Sequence, residues 1–129
     1  RILGLDAPQR AILIGVGNLG RAIAQHINFE SKGFSLIGAF DNREALVGQI
    51  LRNMPIRRIS TLDEFCKENI PTAAILCIPK EAAQSVSEQL IKLGIKGFLN
   101  FSHFQPPFLY CNTAHRKMVV ILDNFCCLF

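Results

Sequence analysis

Residues 11–20 read Ala-Ile-Leu-Ile-Gly-Val-Gly-Asn-Leu-Gly, and this stretch decides the fold. Four apolar residues run without a polar break into a glycine-rich turn. A strand buried on both faces reads this way, because neither side of the pleat meets water. The turn is G-x-G-x-x-G, spanning Gly15, Val16, Gly17, Asn18, Leu19 and Gly20. In such a turn the first glycine permits a sharp strand-to-helix bend. The second lets backbone approach a pyrophosphate, and the third lets the helix pack on the strand. The stretch that follows, Asn18 to Phe29, carries apolar residues at Leu19, Ala22, Ile23, Ala24 and Ile27, which is helical spacing. The N–H groups and dipole at the start of that helix favour an anion.

Working outward, Phe34 to Phe40 is a second apolar strand, and it runs into Asp41, 21 positions after Gly20. A strand-end acid at that distance is where a dinucleotide's adenosine ribose is held. Its charge opposes a 2′-phosphate, so NAD is favoured over NADP, although Arg43 lies close enough to blur that preference. Ala45 to Leu51 reads as a short helix or turn, and Ile56 to Ile59 as a weak third strand. Thr61 is placed to cap a helix over Leu62 to Lys67, with Glu64 completing a capping box. Thr72 to Ile78 is a fourth strand stopped by Pro79. Glu81 to Leu93 is a helix closed by Gly94. Lys96 to Phe101 and Met118 to Leu122 are the remaining strands. Strands alternating with amphipathic helices imply βαβ units. The expected fold is therefore α/β, a doubly wound parallel sheet of the Rossmann type, in one domain over residues 1–129.

In such a sheet the ligand lies outside the carboxyl ends of the strands. That adds Ile78 and Pro79 after the fourth strand, and Asn100, Phe101 and Ser102 after the fifth. The expected cofactor-binding set is Gly15, Val16, Gly17, Asn18, Leu19, Gly20, Phe40, Asp41, Ile78, Pro79, Asn100, Phe101 and Ser102, with NAD(H) as the cofactor.

Composition narrows the function. The chain has 129 residues, 50% of them hydrophobic, a net charge of +4 and only 19% charged residues. The densest basic spots, Arg57-Arg58 and Arg116-Lys117, are two residues each, far from the basic stripe of a nucleic-acid reader. Five cysteines, an odd number, fit a reduced cytoplasmic compartment better than a disulfide scaffold. The ending Cys126-Cys127-Leu128-Phe129 also fits a prenylation pattern, but no polybasic run precedes it. No apolar run reaches the length of a membrane span. Of His26, His103 and His115, only His103 follows a strand end of the crevice. No Cys-x-x-Cys pair and no Gly-x-Ser-x-Gly elbow occur. The expectation is a binding domain with no metal and no catalytic residue. Two rivals stand beside it: the nucleotide-binding half of an NAD-dependent dehydrogenase, and a CoA-binding Rossmann domain, which shares the glycine turn.

Several stretches then resemble one family. They are Arg1-Ile2-Leu3-Gly4-Leu5, Gly15–Ala24 (GVGNLGRAIA), Phe40-Asp41, Ile78–Ser102 (IPKEAAQSVSEQLIKLGIKGFLNFS) and Leu122-Asp123. Together they resemble the redox-sensing transcriptional repressors of the Rex family, over most of the chain. The resemblance implies a C-terminal NAD(H)-binding sensor domain that responds to the NADH/NAD⁺ ratio. It implies homodimers formed through that domain, and DNA bound only through an N-terminal winged helix absent from these residues. It implies that Gly15–Gly20 hold the pyrophosphate and Asp41 the adenine ribose, with Ile78, Pro79, Asn100 and Phe101 on the nicotinamide side. His26 stands where the family usually has Tyr, and Asn100-Phe101-Ser102-His103 where it has Asn-Phe-Ala-Pro.

Overall fold

The computed structural model describes residues 8–101 and 119–122. In chain order they form β1 (Gln9–Ile14), α1 (Asn18–His26), a 3₁₀ turn (Glu30–Lys32), β2 (Phe34–Asp41), β3 (Ile50–Leu51) and β4 (Met54–Arg58). A second 3₁₀ turn (Ile59–Thr61) leads into α2 (Leu62–Asn69), β5 (Ala73–Leu76), α3 (Lys80–Lys92), β6 (Gly97–Asn100) and β7 (Val119–Leu122). The sheet order is β3-β4-β2-β1-β5-β6-β7. Every neighbouring pair is parallel except β3 with β4. The chain winds outward from β1 through β2 to β4, then returns to the other side of β1 with β5. This is the expected doubly wound sheet, and its order reverses between β1 and β5.

Two cores explain why β1 is apolar from Ala11 onward. On one face Ile12 and Ile14 pack with Leu62, Phe65 and Cys66 of α2 and Leu90 of α3. On the other, Leu13 and Val16 pack with Ile23 and Ala24 of α1 and with Phe29. Gly38 of β2 makes room for α2: a Cβ there would lie 2.8 Å from the Phe65 ring. That ring meets Phe40 edge-on, with centroids 5.2 Å apart, a favoured aromatic geometry.

The local structure differs from the expected one at several points. Ala45 to Leu51, read as a short helix or turn, is a run of turns leading into β3. A two-residue hairpin then returns as β4, which begins at Met54 rather than Ile56. The hairpin is tight because Arg52 and Asn53 both take positive φ, 52° and 67°, the signature of a type I′ turn. Glycine, the residue that usually signals such a turn, is absent. Arg52 is held there from outside, donating to the Ala24 carbonyl at 3.2 Å and lying over the Phe29 ring. Thr61 does not cap α2: its hydroxyl donates to the Arg58 carbonyl at 2.7 Å instead. The first helix stops at His26, short of Phe29. Gly94 behaves as expected. At φ 104° it closes α3, with Ile95 N–H bonding the Leu90 carbonyl and Gly94 N–H the Ile91 carbonyl, the Schellman arrangement.

Candidate nucleotide-binding site

The site is built on one row of the sheet. Phe40, Ile14, Leu76, Asn100 and Leu122 are successive register partners across β2, β1, β5, β6 and β7. The residues just beyond that row, Gly15, Asp41, Cys77 and Phe101, therefore open onto the same edge. Ladder bonds continue past the strands to hold them there. Gly15 N–H donates to the Phe40 carbonyl, Cys77 N–H to that of Ile14 and Phe101 N–H to that of Leu76, each at 2.8 Å.

The three glycines divide their work. Gly15 sits at φ 100°, and a Cβ there would be 2.5 Å from the Cys77 carbonyl oxygen. A Cβ on Gly20 would collide with the Gly15 carbonyl oxygen. Both glycines are demanded by the packing of turn, helix and β5. Gly17 is different. A Cβ there would meet only the tip of the Arg43 side chain, at 3.1 Å. Gly17 is also the residue preceding α1, and no side chain caps the helix or places an acid in its first turn. Space and N–H groups are left for an anionic ligand.

Asp41 is buried, with 6% of its surface exposed. Its carboxylate accepts from Val16 N–H at 2.8 Å on Oδ2 and from Arg43 N–H at 2.8 Å on Oδ1. The Arg43 guanidinium adds bonds of 3.2 Å to Oδ1 and 3.1 Å to Oδ2. Burial pushes the Asp41 pKa up, but the bonds from Arg43 and Val16 outweigh it and hold it below its ordinary value. Arg43 is pushed up in turn by the same contact.

The expected site residues do not all face the crevice. Asn18, Leu19 and Pro79 are exposed, and Gly17, Ile78 and Phe101 are half-buried. The Phe40 ring is fully buried in the core, so only its backbone takes part, by holding Gly15. Val16 is buried and its N–H is spent on Asp41. Asn100 ends β6, and Ser102 and His103 lie outside the described residues. His26 is exposed at the end of α1. The part that sequence reading undervalued is Arg43. Its only signal was its position two residues after Asp41. Among the described residues no group of His, Cys, Asp and Glu is placed to hold a metal, and no helix is long and apolar enough to cross a membrane.

The family model described as a CoA binding domain matches residues 6–104. A "Redox-sensing transcriptional repressor Rex" of Caldicellulosiruptor saccharolyticus is 45% identical over 79% of this chain and 47% of its own length. The Rex of Clostridioides difficile is 43% identical over 79% of this chain and 49% of its own. The chain thus spans about half the length of the curated relatives it matches. Among solved structures, RSP, a Rex-family repressor, superposes with a TM-score of 0.80 at 35% identity, over 95% of this chain and 56% of that one. RSP in complex with NADH, and with NAD⁺ and operator DNA, gives TM-scores of 0.78 and 0.77. A UDP-D-quinovosamine 4-dehydrogenase from Vibrio fischeri, TM-score 0.62 at 20% identity, shares the fold alone.

Proposed function

The chain belongs to the CoA-binding domain family and within it resembles the Rex repressors, and from that premise we propose that it is an NAD(H)-binding sensor domain. The observation that carries the reading is Asp41. It stands at the carboxyl end of β2, bonded to the glycine turn at Val16, beside the point where the strand order reverses. A dinucleotide laid across that point puts its pyrophosphate over Gly17 and the start of α1, and its adenosine ribose toward Asp41. Ile78, Pro79, Asn100 and Phe101, with Ser102 beyond them, then border the nicotinamide end. A buried anion at the ribose position suits two hydroxyl donors. It is a poor neighbour for the 3′-phosphate of CoA, which is why the family name does not decide the ligand.

In this reading residues 1–129 are the sensor, and operator DNA is bound by a winged-helix domain outside them. The relatives are named repressors rather than enzymes, and no catalytic role is assigned to any residue here. The nucleotide binds two states with different affinity and thereby changes how two copies of the domain sit against each other, in the cytoplasm. Calorimetric titration of the 129-residue chain with NADH, NAD⁺ and CoA tests the core of this. Binding of NADH and NAD⁺ without CoA is expected. Binding of CoA without either dinucleotide sinks the proposal. A gel shift with regulatory DNA is expected to show no specific band from this domain alone.

A further inference from the structure

Three non-glycine residues among those described take a positive φ: Arg52, Asn53 and Ile70. The first two make the tight hairpin. Ile70 is a β-branched residue at φ 48° and ψ 61°, where α2 ends. Glycine or asparagine is the usual residue for such a helix end, because a Cβ crowds the left-handed backbone. The accompanying stabilisation is an apolar contact back onto the last turns of the helix. Ile70 gains little of it. Its N–H bonds the Cys66 carbonyl at 2.9 Å, yet 65% of the residue is exposed. Pro71, the next residue, is fully buried. An unfavourable backbone conformation thus holds an apolar side chain out of the core, on a linker that is itself anchored.

The α2–β5 linker lies where the chain enters the sheet. Thr72 N–H donates to the Arg10 carbonyl at 2.9 Å and the Thr72 hydroxyl to Gln9 Oε1 at 2.7 Å. The Arg10 guanidinium donates to the Asn69 carbonyl at 2.6 Å. The start of β1 is therefore tied to the linker on both sides of Ile70. Just ahead of β1 the sequence reads Ile2-Leu3-Gly4-Leu5. From Gln9 back to Leu5 the chain can span up to about 14 Å, against the roughly 5 Å that separates neighbouring strands. The patch is a single side chain between exposed polar residues, Lys67 and Glu68 before it and Arg10 across from it. A stable protein partner covers about 1,000 Å² or more, far beyond one isoleucine, whereas a short apolar stretch matches it. We propose that Ile70 is the docking point for the chain's own stretch Ile2–Leu5, which turns back over the α2–β5 linker and fixes the direction in which the chain enters β1. The contact does not depend on the nucleotide reading above, because Ile70 precedes β5 and Gly17 follows β1, at opposite ends of two parallel strands.

The test is a double-mutant cycle read by urea unfolding of the 129-residue chain. Its corners are wild type, Ile70→Asn, the paired Leu3→Ser and Leu5→Ser, and the combination of all three. Asparagine tolerates the left-handed backbone, so where Ile70 touches nothing Ile70→Asn relieves strain and stabilises. With Leu3 and Leu5 replaced by serine, that stabilisation is expected. In the wild-type background it is expected to vanish or reverse, because the contact is lost at the same time. The effect of Ile70→Asn on the unfolding equilibrium constant should differ between the two backgrounds by about fivefold or more. A smaller difference overturns the proposal. So does a difference that grows with protein concentration, which assigns the patch to a second copy. NADH titration of the same four proteins is expected to give equal affinities, and absence of NADH binding in all four counts against the sensor reading while leaving the cycle intact.

Discussion

The side chain of Asp41 accepts a hydrogen bond from the backbone N–H of Val16 at 2.8 Å, across 25 residues of sequence, and neither atom is open to solvent. The end of β2 therefore holds the glycine turn in shape. An acid at this position is a structural residue as well as a candidate ribose ligand.

Asp41→Ala is expected to lower stability even without nucleotide. It strands a buried Val16 N–H, a loss of about 1–3 kcal/mol. Urea unfolding monitored by circular dichroism checks this. An unchanged midpoint means that water replaces the carboxylate at no cost and that the turn is self-supporting.

The same carboxylate sets an acid limit. Its folded-state pKa lies below the ordinary value, so it binds a proton less readily folded than unfolded. That stabilisation is complete above about pH 4 and drains away as the pH falls further, through the lowered folded-state value. Wild type is expected to lose stability faster than Asp41→Ala between neutral pH and about pH 3. Parallel stability curves for the two proteins contradict the assignment.

Gly17 and Gly20 are expected to separate binding from folding. Gly20→Ala puts a Cβ into the Gly15 carbonyl and should lower the melting temperature sharply or prevent folding. Gly17→Ala meets only the exposed end of the Arg43 side chain, so the fold should hold. NADH affinity of that variant should nonetheless fall about tenfold or more, near 1.4 kcal/mol, because the pyrophosphate's approach is obstructed. Equal behaviour of the two variants in thermal melts and titrations removes the division of labour.

Cys66 and Cys77 are expected to be inert thiols in the native protein. Burial, helped by the nearby Asp63 charge, pushes Cys66 up to about 11, and burial pushes Cys77 up to about 12. Thiolate is the reactive form, so iodoacetamide at pH 8 should label neither until denaturant is added. Peptide mapping by mass spectrometry reads each site separately, and fast native labelling at Cys77 shows that the floor of the crevice is open.

Asn53 tests the hairpin that sequence reading missed. At φ 67° a β-branched side chain is strained, and Asn53→Val should cost about 1–2 kcal/mol, whereas Asn53→Gly should be close to neutral. Urea midpoints of both variants decide, and equal midpoints exclude the tight turn.

Much of this protein was legible in its sequence because the signals were local and periodic. The Ala11–Ile14 run, the glycine turn, the helical spacing after Asn18 and the acid at Asp41 fall within a single βαβ unit. Each obeys a rule of backbone sterics or two-faced burial that needs no knowledge of the rest of the chain. Gly94 was readable for the same reason. The β3–β4 hairpin was not, because Arg52 and Asn53 hold their left-handed conformations through contacts with Ala24 and Phe29, far back in the chain. Thr61 misled because its hydroxyl had a nearer acceptor, the Arg58 carbonyl. Which glycine serves the fold and which is left for a ligand was likewise decided in three dimensions, since only there does the Cys77 carbonyl come up against Gly15. That an acid would stand at the end of β2 followed from the sequence alone. That its carboxylate would already hold four hydrogen bonds did not follow from it, because hydrogen bonds are assigned by where donors converge in space, and Val16 and Arg43 reach Asp41 from two different strand ends.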